Sequence, residues 1–164
     1  MNTLSTTHLD YIFGEICKVL LPIHEETFFG DSNSSVAICT LSSISLLKTI
    51  AKSEILPKVA IAGRLFSEND GIDTMIKFVN SNKNIKTIIL CGKDVWGHKA
   101  GHALLSLYRN GIDPNGKIIG SISPHPILHT SLKDVEQFRN QVHIVNLIGT
   151  LDIAKIHEQV ILTQ

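Results

Sequence analysis

The chain has 164 residues, 43% of them hydrophobic and 18% charged, which suits one domain with a buried core and excludes a disordered chain. Fifteen Lys and Arg balance fifteen Asp and Glu, so there is no basic footprint and no nucleic-acid partner is expected. No apolar run nears the roughly 20 residues that cross a bilayer, and the opening MNTLSTTHLD lacks the basic start and apolar stretch of a signal peptide. A cytoplasmic chain without a membrane span is the expectation. Three cysteines are an odd number for a disulfide framework, and Cys39 and Cys91 fall in apolar runs, so reduced core thiols are expected.

In chain order, residues 1–30 stand apart as an N-terminal helix and lead-in. Leu9, Ile12, Phe13, Ile16 and Leu20 make a helical stripe ended near Pro22, suited to packing on a sheet edge or to a partner. Residues 31–164 then alternate short apolar runs with amphipathic segments. SVAICTL (35–41), KVAIAG (58–63), TIILCG (87–92), KIIGSI (117–122) and VHIVNLIG (142–149) read as strands buried on both faces. Ile72, Met75, Ile76 and Val79 give one helical stripe; Ala100, Ala103, Leu104, Leu107 and Tyr108 give another, stopped by Asn110-Gly111. Ser131, three before Asp134, and Asp152 are expected N-caps of two later helices. The fold class is α/β: a Rossmann-like, mostly parallel sheet of about five strands with helices on both faces.

Ligands of such sheets bind beyond the carboxyl ends of the strands. These ends lead into Thr40, Leu41 and Ser42, into Gly63 and Arg64, into Gly92 to Gly101, and into Gly120 and Ser121. Glycines admit close backbone approach, and small hydroxyls meet polar edges without filling space. That set suits a broad, flat, amide-bearing ligand. No G-x-G-x-x-G follows a strand and no G-x-x-x-x-G-K-[ST] is present, which disfavours a dinucleotide or a nucleoside triphosphate.

His98 and His102 have the spacing of a zinc helix, but Lys-Ala-Gly separates them and the H-E-x-x-H base is missing. Zinc would need a third ligand such as His125, His129 or Cys91. In the other reading, His98-x-x-Gly101 follows a strand and a glycine turn beside Trp96. A histidine so held, with a glycine leaving room beneath it, suits the metal of a planar macrocycle such as a corrinoid. The longer Asp-x-His-x-x-Gly corrinoid motif is not met, since Trp96 stands two before His98. Asp94, four residues back, is an expected partner for the imidazole, in competition with Trp96 and backbone carbonyls.

The wording of GDSNSSVAICTLSS, of VAIAGRLFSENDGIDTMIKFVNSNKNIKTIILCGKDVWGHKAGHALLSLYRNGIDPNGKIIGS and of FRNQVHIVNLIG resembles the A subunit of tetrahydromethanopterin S-methyltransferase from about Gly30 to Leu151. In methanogenic archaea that protein carries a cobamide in a membrane complex moving methyl from methyl-tetrahydromethanopterin to coenzyme M, with sodium export. The resemblance implies a cobamide (cobalamin-type corrinoid, cobalt) as cofactor, other methyltransferase subunits as partners, and a place peripheral to a membrane complex. It implies His98 as axial cobalt ligand and catalytic residue, and sets His102 where the family can carry Gln. Thr40, Leu41, Ser42, Gly63, Arg64, Glu68, Asn69, Gly92, Trp96, Gly97, His98, Gly120 and Ser121 are the cofactor-binding candidates. Family members continue into a linker and a C-terminal membrane helix; a soluble form without that helix, with little activity alone, is the expectation here. The alternatives are a stand-alone cobamide-binding or storage module, and a zinc- or nucleotide-binding α/β protein.

Overall fold

Runs of β-branched and small apolar residues become strands where both sheet faces are covered. The computed structural model describes residues 26–164, so the Leu9–Leu20 stripe lies outside the described residues. In chain order the elements are β1 (Thr27–Phe29), β2 (Val36–Cys39), α1 (Ile44–Ala51), a short 3-10 turn at Leu56–Lys58 and β3 (Ile61–Gly63). They continue with α2 (Asp70–Ser81), β4 (Thr87–Gly92), α3 (Ala100–Asn110), α4 (Leu132–Gln141), β5 (His143–Ile148) and α5 (Ile153–Leu162). The sheet order is β1-β3-β2-β4-β5, with β1 antiparallel to β3 and the other pairings parallel. The chain passes from β2 to β3 on one side, then crosses to β4 on the other. That reversal opens a crevice at the carboxyl ends of β2 and β4, the usual ligand position of such sheets.

Alternation along the strands sorts the core into two layers. Ala37, Cys39, Ile88, Leu90 and Ile144 pack beneath α2, α3 and α4, where Ile72, Ile76, Leu104, Leu107 and Phe138 are buried. Val36, Ile38, Ala62, Ile89 and Cys91 face α1 and α5, with Leu47, Ile50, Ile156 and Val160. Cys39 and Cys91 are free and buried; burial first, and then Cys39 nearby, push the Cys91 thiol well above its ordinary value. The expected caps form: Ser131 accepts from the Asp134 N–H, and Asp152 accepts from Ala154 and Lys155. Gly111 ends α3 at φ 75°, with its N–H on the Leu107 carbonyl.

One strand expectation is corrected. Residues 117–122 are not a strand of the sheet; β5 takes the place beside β4, and Ile118 and Lys117 make only isolated bridges to Ile112 and Ile127. A covered strand would be buried on both faces, yet Ile118 is buried while Ile119 and Ile122 are exposed. Gly116 and Gly120, at φ 81° and 80°, turn the chain at either side. The fifth strand is instead Thr27–Phe29, an edge strand too short to announce itself, so the sheet begins before residue 31.

The seam between β2 and β4 depends on Gly92. Its φ is +80°, and a Cβ there would sit 2.3 Å from the Thr40 carbonyl oxygen and 2.9 Å from Ser43 Oγ. Gly92→Ala is therefore expected to lower the unfolding free energy by about 2–3 kcal/mol in urea denaturation. An unchanged midpoint would show that the seam relaxes freely.

Candidate functional site

The strand ends are stitched together before any side chain reaches outward. Ser42 donates its N–H and its hydroxyl to the Lys93 carbonyl, at 3.1 and 2.6 Å, and Ser43 Oγ accepts from the Lys93 N–H at 2.9 Å. Thr40 donates its N–H to the Gly63 carbonyl at 2.9 Å, tying β2 to β3. Leu41 holds a left-handed backbone at φ 49° and Lys99 does so at φ 50°. For residues other than glycine such conformations are costly and collect at functional sites. Both border the same crevice.

From this seam a row of side chains leads inward. Arg64, nearly buried, donates from Nη2 to the Ser42 carbonyl at 3.2 Å and lies over the Phe66 ring at 5.8 Å. Phe66 in turn packs on the His98 imidazole, with centroids 5.2 Å apart and planes at 57°. His98 and Glu68 are each 1% exposed, and His98 Nδ1 lies 2.8 Å from Glu68 Oε2. The other carboxylate oxygen, Oε1, accepts the His125 backbone N–H at 3.0 Å. Burial alone would raise the Glu68 carboxyl, but the His98 hydrogen bond, its own backbone N–H, the His98 charge and the His125 N–H outweigh it. The carboxyl is held below its ordinary value.

An ionised carboxylate only accepts, so the nitrogen facing Glu68, Nδ1, carries a proton, and in the neutral imidazole Nε2 is then the lone-pair nitrogen. That Nε2 is buried and finds no hydrogen-bond partner. Such an acceptor is costly to leave unmet. The arrangement is the carboxylate–histidine pair that typically orients a metal-ligating imidazole.

Asp94 does not serve His98. Its Oδ1 accepts the N–H groups of Val95 and Gly101, and its Oδ2 accepts that of His102, so it caps the start of α3. The expectation that it holds the imidazole is corrected; Glu68, thirty residues earlier, does so. Gly101 has a packing reason: a Cβ there would lie 3.0 Å from Leu41 Cδ1 and Ile148 Cδ1 and 3.1 Å from Asp94 Oδ2. The space beneath the histidine turn is filled by protein. His98 and His102 do not share a helix face, because α3 starts only at Ala100, after the left-handed Lys99. His102 Nδ1 lies 3.5 Å from Ser106 Oγ. Cys91 faces α1 and α5, His129 gives its N–H to Asp73, and among the described residues no three His, Cys, Asp or Glu side chains gather as a metal cluster.

Of the other candidates, Trp96 is 60% exposed on the turn and Gly97 is buried below it. Asn69 is the N-cap of α2, accepting from the Asp70 N–H. Gly120 is not at a strand end: its carbonyl accepts from Ser106, halfway along α3, and Ser121 closes its own turn by accepting the Ser123 N–H. An apolar cavity of about 310 Å³ lies between β1, β3, β2 and α2, and only Gly63 and Arg64 of the candidate set line it. Phe66 and Ser123 carry no motif and escape sequence reasoning; His125, weighed there only as a third zinc ligand, acts instead through its backbone N–H.

A Rossmann-like α/β domain with a carboxylate-held imidazole at the carboxyl edge of its sheet belongs to the doubly wound class, in which that edge is the usual ligand position. The sequence model of the family described as the A subunit of tetrahydromethanopterin S-methyltransferase matches residues 20–162, and the chain belongs to that family. It is 38% identical to the tetrahydromethanopterin S-methyltransferase A subunit of Methanocaldococcus jannaschii, over 82% of this chain and 55% of the relative. It is 33% identical to the second such A subunit of Methanothermobacter marburgensis, over 80% and 69%. The A subunit of a putative methyltransferase, Mtx, of Methanosarcina acetivorans is 35% identical over 84% and 66%. The chain thus spans roughly half to two thirds of the length of these relatives. Among the described residues no helix is long and apolar enough to cross a membrane.

The depressed Glu68 carboxyl has a consequence for stability. An acid held below its unfolded value stabilises the fold above the ordinary carboxylate range, and that contribution fades as pH falls through the folded value. The stability advantage of the native protein over Glu68→Gln is therefore expected to be present at pH 7 and to shrink towards pH 4, in urea denaturation. An advantage that persists undiminished below the carboxylate range would contradict the depressed carboxyl.

Proposed function

We propose that this chain binds a cobamide at the carboxyl edge of the sheet, where His98 would hold the cobalt through Nε2, and serves as a methyl carrier among partner subunits. The observation that carries this reading is the buried, unpartnered Nε2 of an imidazole whose Nδ1 is held by Glu68. The donor set fits the group. A corrin supplies its own equatorial nitrogens, so the protein needs to give one imidazole and no cluster. When bound, a cobamide supplies a cobalt centre that accepts and releases methyl.

The rest of the work belongs to the chain. Glu68 fixes the tautomer and the ring orientation. The seam of Ser42, Ser43 and Lys93 holds the strand ends flat beneath a broad ligand. Trp96 and Ile122, each 60% exposed, offer apolar surface on the two segments that meet where Ser123 Oγ donates to the Lys99 carbonyl at 3.0 Å. Because His98 is 1% exposed, the residues that cover it must yield for a ligand to reach Nε2.

Titration with cobamide followed by visible absorption tests the reading. The unsubstituted protein is expected to shift the spectrum to that of an imidazole-ligated corrinoid. His98→Ala should abolish the shift and weaken binding by more than about tenfold, whereas His102→Ala should preserve both. Loss of the shift in the His102 variant alone, or no shift with the unsubstituted protein, would overturn it.

A further inference from the structure

The segment Ser123–Thr130, SPHPILHT, crosses the starts of α2 and α3 as a strap without regular secondary structure. Two carboxylates of α2 and its lead-in hold it. Glu68 Oε1 takes the His125 N–H at 3.0 Å. Asp73, 4% exposed in the first turn of α2, takes the N–H groups of His129 on Oδ2 and Thr130 on Oδ1, each at 2.9 Å, and the Thr130 hydroxyl on Oδ1. A buried carboxylate is expensive unless it is hydrogen-bonded, and here three donors from one strap meet it.

We propose that Asp73 is a positioning residue for His98, acting through the strap and Glu68; this rests on the reading of His98 as a cobalt ligand. Besides its own backbone N–H, Glu68 takes the imidazole on Oε2 and the strap on Oε1. Without the strap the carboxylate would be held by local partners and the ring alone and could turn with the ring; the His125 N–H clamps it from a second segment. The His125 N–H is itself fixed by its surroundings. Pro124 and Pro126 on either side restrict the backbone. The Pro126 carbonyl accepts from Ile118 at 2.8 Å, and the Leu128 N–H donates to Gly116 at 2.9 Å. Asp73 anchors the far end, four and five residues on. Glu68 and Asp73 are five apart, so lead-in and strap meet as two rungs of one ladder, and the rung at Asp73 sets the one at Glu68.

The test reads the imidazole without cofactor, in protein labelled with nitrogen-15 histidine. Asp73→Asn keeps the volume but sets an NH2 donor against a strap N–H. The variant is expected to keep native amide dispersion while the His125 amide exchanges about tenfold faster or more. The His98 nitrogen signals should move from the single Nδ1-protonated form towards a mixture. Thr130→Val, which removes only the hydroxyl bond, should act in the same direction with about threefold faster exchange, and decides the matter if Asp73→Asn does not fold. Cobamide binding should weaken by about tenfold in Asp73→Asn. Folded variants with unchanged His98 signals and unchanged His125 protection would overturn the proposal and leave Asp73 as a stabilising group alone. If the unsubstituted protein bound no cobamide while the nitrogen signals moved as expected, the ligand reading would fall and the positioning chain would stand.

Discussion

The hydrogen bond from His98 Nδ1 to Glu68 is the contact on which the site depends. An imidazole inside a protein has two tautomers and can turn about its side-chain bonds, so nothing intrinsic decides which nitrogen is a lone pair or where it points. A buried carboxylate removes that freedom, because it can only accept. The cost of burying it is offset by the His98 and His125 donors, which also hold its proton off. Phe66 and Arg64 carry the same constraint outwards to the Ser42 carbonyl, so the imidazole is referenced to the sheet rather than to its own turn.

The fold makes this possible by bringing distant segments to one edge. Glu68 comes from the β3–α2 connection, His98 from the β4–α3 connection, and His125 from the strap after α3. The parallel register aligns Cys39 with Gly63 and with Leu90, so these connections leave the sheet at nearly one level. Asp94 then starts α3 immediately after the histidine turn, with Gly101 allowing the helix to close on Leu41 and Ile148. The two left-handed residues, Leu41 and Lys99, record the strain that this convergence requires.

Much of this was legible in the sequence where a local rule has one outcome. Near-continuous apolar runs gave β2, β4 and β5, stripes at helical spacing gave α2 and α3, and capping residues fixed the starts of α4 and α5. KIIGSI misled because an apolar run with glycines is equally a loop that buries one isoleucine, and only competition with β5 for the edge of β4 decides between them. Thr27–Phe29 was missed because three residues give no periodicity. At the site, His98 stood out by its glycine turn and by family resemblance. Glu68 entered the candidates as a residue near a flat ligand, not as the partner of His98, since a contact thirty residues long leaves no trace in one sequence. Asp94 was the near neighbour and therefore the natural guess, but the N–H groups at the start of α3 claim it first.

Belonging to the A-subunit family while spanning about half to two thirds of the relatives' length, the chain comprises the sheet and the histidine site. The central claim is that one nitrogen of His98 binds cobalt. Electron paramagnetic resonance of the protein loaded with cobamide in the Co(II) state measures it directly, because the axial nitrogen splits the cobalt lines. Replacing histidine nitrogen with nitrogen-15 is expected to convert each triplet to a doublet, and His98→Ala should abolish that isotope effect. Triplets that persist in the nitrogen-15 histidine protein would place another ligand on the cobalt and contradict the account.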